Sequence, residues 1–183
     1  MIFKASHPVF IPKANSDGTY PKGIKLGTMM NVSVSESFLQ LSALAGGKSV
    51  FQGATIALGT AHMPIKSYNV VFGFDDESGL GKVSESNVSG VEGSFHYITE
   101  EFTEAGEIVF VLYHIHRCIF RPPPHSAVAS NGKSVTITNF SLTGTACRPL
   151  SGKWRTRETF NSAEAALQQL MLEGYDWYDE NSL

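Results

Sequence analysis

Apolar residues recur at two different periods along this chain, and the period marks the predicted elements. From Asn31 the run NVSVSESFLQL sets Val32 and Val34 against polar neighbours, the alternation of a half-exposed strand, and it ends before a Gly46-Gly47 turn. Phe51 to Thr60 (FQGATIALGT) predicts a second strand with Ile56 and Leu58 on one face. In AHMPIKSYNVVFGF the spacing changes: Ile65, Tyr68, Val71 and Phe72 follow a helical period behind Pro64, which a first helical turn tolerates. A short helix packed on a sheet is predicted there. Three strands follow, over Phe95 to Phe102, Glu107 to Arg121 and Ser134 to Thr143, the first two joined at a turn around Ala105-Gly106. The middle one, IVFVLYHIHRCIFR, has the β-branched and aromatic content of a central strand and stops at Pro122-Pro123-Pro124. Near the C-terminus Asn161 and Glu164 read as a capping pair, and Ala163, Ala166, Leu167, Leu170 and Met171 share one helical face before Gly174.

Two stretches carry no sustained period. Residues 1–30 hold Pro8, Pro12, Asn15, Gly18, Pro21 and Gly23, which predicts an N-terminal arm or long loop. Gly73 to Ser94 is rich in Gly, Ser and acidic residues against a single Lys82, and reads as a long flexible loop. The tail YDWYDENSL is acidic and aromatic, expected to dock through Trp177 and fray beyond it. A length of 183 residues fits one domain, 1–183.

Composition agrees with a β-rich domain: 17 Gly and 12 Phe favour turns and strands over long helices. The net charge of -3 lacks the basic footprint that tight nucleic-acid binding requires. Lys4, His7, Pro8 and Lys13 interrupt the apolar N-terminus, so neither a secretory leader nor a membrane span is expected. Cys118 and Cys147 make no disulfide framework, and synthesis in a reducing cytoplasm is the simple expectation.

Candidate chemistry concentrates in YHIHRCIF. On an unbroken strand His114, His116 and Cys118 would project from one face, and two imidazoles with a thiolate suit zinc or copper. Ligands about 6.5 to 7 Å apart along one strand do not converge without a neighbour, for which His96 is the candidate. A Cys118 nucleophile activated by an imidazole is also conceivable, but neither cysteine lies on a strand-to-helix turn. GLGKVS lacks the spacing of a phosphate loop, and Asp75, Asp76 and Glu77 are consecutive where a calcium loop alternates its ligands. The favoured reading has no catalytic residue, no metal and no cofactor, with the histidines at a partly wet surface or subunit boundary.

Several segments in order, ATIALGTAHMPIKSYNVVFG, YHIHRCIFRPPP, KSVTITNFSLTGTA and GKWRTRETFNSAEAALQQL, resemble the major tail proteins of long-tailed, siphovirus-type bacteriophages. The resemblance runs from Gly53 to Leu170; the loop at Gly73 to Ser94, the N-terminal stretch, Cys118 and the triple proline depart from it. It implies two packed antiparallel sheets, sandwich or barrel-like, with one flanking α-helix and long loops. It also implies hexameric rings stacked into a hollow tube through which DNA leaves the capsid without specific binding. Implied partners are further copies of the chain and the tape measure, distal tail and terminator proteins, in a virion made in the bacterial cytoplasm. The acidic net charge predicts an acidic or neutral inner wall that would not trap phosphates. Histidines between subunits would make assembly sensitive to pH near 6. The alternatives are a tail terminator, a tube protein of a contractile injection machine, or a small metal-dependent β-barrel enzyme using His114, His116 and Cys118.

Overall fold

A computed structural model describes residues 2–13, 21–40, 48–73, 75–76, 83–84, 90–123, 140–148 and 153–172. The strands are β1 (Ile2–Pro12), β2 (Ile24–Lys25), β3 (Met29–Gln40), β4 (Ser49–Thr60), β5 (Asp75–Asp76), β6 (Val83–Ser84), β7 (Glu92–Phe102), β8 (Ile108–Arg121), β9 (Phe140–Cys147) and β10 (Arg155–Phe160). The helices are α1 (Ile65–Phe72) and α2 (Ala163–Leu172). The protein is mainly β, and every strand pairing among the described residues is antiparallel. Eight strands join in one sheet in the order β2-β1-β7-β8-β9-β4-β3, with β10 on β8, while β5 and β6 form a separate two-stranded ribbon.

β8 is the spine of the sheet, as its apolar run requires. One edge pairs with β7 along most of its length; the other pairs first with β10, Phe110 to Ile115, and then with β9, Cys118 to Arg121. The sheet therefore forks at residues 116–117. Two cores lie on its two sides. The larger gathers Phe10, Ile56, Leu58, Phe95, Val111, Ile115, Phe120 and Leu142 from β1, β4, β7, β8 and β9, with Val71 and Phe72 of α1. Its rings interlock: Phe120 meets Phe95 edge-on at 5.3 Å and Phe10 at 6.0 Å. Burying each such side chain stabilises the fold by roughly 1.5–3 kcal/mol. The smaller core sets Ala166 and Leu170 of α2 against Val9, Ile11, Ile98 and Leu112.

Both helices form where the periodicity puts them, with different local details. α1 starts behind Pro64, as expected, and Gly73 closes it at φ 70°, its N–H donating to the Asn69 carbonyl. At α2 the cap is Ser162, whose Oγ accepts from the Ala165 N–H at 3.2 Å, not Asn161. Ala163 and Met171, expected on the packed face, are exposed.

The N-terminal arm is the largest correction. Residues Ile2–Pro12 form β1, paired along β7, because a bulge between Ser6 and Val9 absorbs Pro8 and lets His7 adopt φ 53°. The Pro8 carbonyl is not idle; it accepts from Leu26 N–H at 2.8 Å. β10 replaces an unassigned stretch, and β9, described from Phe140, runs to Cys147, past the expected end at Thr143. Residues 134–139, most of the loop at 73–94, Gly46-Gly47, Pro124, Gly174 and Trp177 lie outside the described residues. Within that loop Asp75–Asp76 pairs with Val83–Ser84, and Glu92 already belongs to β7.

Candidate functional site

The face of β8 decides the chemistry of YHIHRCIF. Gly93 of β7 pairs with Cys118 and Phe95 with Ile115, so β8 spends one residue more than β7 between those two rungs. That bulge, at the fork, flips the alternation. Val111, Tyr113 and Ile115 face the larger core, and beyond the bulge so do Cys118 and Phe120. His114 and His116 stay on the opposite side, where their rings lie 6.3 Å apart and nearly parallel. The expected common face of His114, His116 and Cys118 does not exist, and likewise Arg117 and Ile119 do not share the face of Val111, Tyr113 and Ile115.

Cys118 is fully buried, and burial pushes its thiol pKa strongly up, so it packs as a small apolar group. It sits among the apolar side chains of the larger core, on the face opposite His114 and His116. On the other face His96 and His114 are cross-strand partners with ring centroids 4.9 Å apart, both buried. Nε2 of His96 lies 2.8 Å from Ser94 Oγ, and His114 Nε2 is 4.0 Å from Glu158. His116 is exposed, its Nε2 3.0 Å from Thr156 Oγ1. His96 does approach His114, as expected of a helper. Yet among the described residues no three histidine, cysteine or acidic side chains converge as a metal would need. Glu77 and residues 79–82 of GLGKVS lie outside the described residues.

Polar pairs that the sequence pattern hid tie the strands together. Arg117, turned outward by the bulge, binds Glu92 through Nε at 2.9 Å and Nη2 at 2.8 Å, which holds the Glu92 carboxyl below its usual range. Arg155 of β10 reaches Glu36 of β3 at 2.9 Å and lies 4.7 Å over the Trp154 ring, which stacks on Phe51 at 4.4 Å. Glu101 accepts from Tyr113 Oη at 2.8 Å and Thr99 Oγ1 at 2.9 Å. Burial, then the hydrogen bond to Glu101, raises the Tyr113 pKa; burial beside Tyr113 pushes Tyr97 up to about 12. The alternation in WRTRETF was the available signal for β10, and its arginines masked it.

What the molecule does present is open strand edge. Among the described residues β3 ends the strand order and is hydrogen-bonded only to β4, with part of it close to β1, and Glu36 is the one charge in its twelve residues. Among the described residues β10 has a partner only in β8, and β2 covers β1 only at Val9 and Phe10. Unprotected edges of this kind are templates for pairing with another chain. No helix among the described residues is long and apolar enough to cross a membrane. No protein-family model matches the chain, and no curated protein matches it.

Proposed function

We propose that this chain is a structural, non-catalytic subunit that assembles with copies of itself into a hollow tube of the bacteriophage tail type. The observation that carries the reading is β3, among the described residues a long edge strand with one carboxylate and no lysine or proline of the kind that blunts such edges. The larger core, shared by strands from both halves of the strand order, with β1 close to β3, supports the barrel-like packing that the sequence resemblance implies. In this reading edges pair between subunits around a hexameric ring, rings stack, and DNA passes through a lumen of acidic or neutral surface within the virion. Tape measure, distal tail and terminator proteins would meet the tube ends.

Negative-stain electron microscopy of concentrated protein, beside sedimentation velocity across a dilution series, tests the reading. Rings or tubes of uniform width are expected, with mass rising with concentration. A single monomer boundary at every concentration and no rings or tubes on the grid would overturn it.

A further inference from the structure

Two exposed apolar patches lie along β8, one at the start of the strand and one beside its middle, at the fork. At its start Ile108 pairs with Phe102 of β7, and Phe3 stacks on Phe102 with ring centroids 4.6 Å apart; all three are exposed by 44% or more. Phe102 and Ile108 continue the face that carries Ile98, Phe110 and Leu112, so the apolar strip beneath α2 runs on into solvent. Glu104 and Glu107, both exposed, rim this end on the turn joining β7 to β8. The other patch lies at the fork, where the His116 N–H donates to the Trp154 carbonyl. Ile108 and His116 are roughly 25 Å apart at the rise of a strand. Here Phe38 meets Phe51 edge-on at 5.9 Å, Phe51 stacks on Trp154, and Phe38 and Leu39 are each 47% exposed. Lys48 and Lys153, both exposed, flank it.

One patch is thus apolar with an acidic rim, the other apolar with a basic rim. A patch of either kind repels its own twin through the rim charges and attracts the other. Resting on the self-assembly reading, we propose that Phe38 and Leu39 of one copy dock on Phe3, Phe102 and Ile108 of the next. Lys48 and Lys153 would then face Glu104 and Glu107. The occupant of each patch is a second copy of this chain, and the contact is heterologous: it uses two different surfaces and so repeats in one direction. Apolar centres exclude water and charged rims set polarity, the usual division of labour at a protein interface.

Cysteine variants test it directly. Leu39→Cys and Ile108→Cys are each built on Cys147→Ser, leaving only the buried Cys118 thiol, and are checked for folding by circular dichroism. They are then treated with a short bismaleimide, alone and mixed. A linked pair in the mixture and none with either variant alone is expected. Lys48→Glu should cut the linked yield at least threefold, and Glu107→Lys on the other copy should restore it. Links within Leu39→Cys alone would mean a symmetric contact and overturn the proposal. Tubes on the grid without links in the mixture would overturn the proposal and leave the tube reading standing. Linked dimers without rings or tubes would uphold the contact and overturn the tube. Monomer throughout, with no links, removes both.

Discussion

The thiol of Cys118 is enclosed by the larger core, and at neutral pH it stays protonated. Native protein should therefore react with a thiol reagent at the half-buried Cys147 only, and at both cysteines after unfolding in urea; prompt labelling of Cys118 in the native state would contradict this. Phe120 is the ring around which Phe10 and Phe95 are arranged, and Phe120→Ala should lower unfolding free energy by about 3–5 kcal/mol in urea titration. Its neighbour Gly144 has no space for a methyl, since a Cβ would lie 2.8 Å from the Phe120 ring. His7 is the residue with a pH signature. Burial first, then Lys25 and Lys4, hold its pKa below the ordinary 6.5, so the native state binds the proton less readily than the unfolded chain. The stability this contributes is complete above about pH 6.5 and is lost as pH falls toward the lowered native value. His7→Asn, which tolerates the same backbone angle, should flatten the urea midpoint between pH 7.5 and 5.5.

At the scale of elements, periodicity was legible wherever the chain keeps one period. β3, β4, β7, β8 and both helices fall where alternation, apolar content and helical spacing put them; β7 and β8 are buried on both faces at their centres, so their β-branched and aromatic content was the signal. β1 was hidden by its own repair: Pro8 reads as a breaker, yet the bulge at His7 and Pro8 lets the strand pass it. β10 was hidden because Arg155 and Arg157 look like solvated charge, whereas Arg155 bridges to Glu36 and covers Trp154. The candidate site failed for a related reason, since its common face assumed an unbroken two-residue period. α2 offers a check on local design: Ser162→Ala removes the hydroxyl that caps Ala165, and thermal or urea unfolding should report a loss of about 1 kcal/mol.

At the scale of the whole molecule, stability and assembly separate. Ser35 is exposed on β3 and among the described residues pairs only with β4, so Ser35→Lys should leave the monomer folded by circular dichroism and abolish rings and tubes on the grid. Assembly that survives the lysine would locate the subunit contacts elsewhere. The fork at residues 116–117 has a further consequence, for how the chain tolerates change. In a saturation-substitution survey scored by abundance, β8 positions inside the larger core should be intolerant of polar replacements at odd numbers up to Ile115 and at even numbers from Cys118 onward. A single residue inserted or deleted there would shift that phase for the rest of the strand. Length variation in this strand should be tolerated least at the place where the sheet changes partners.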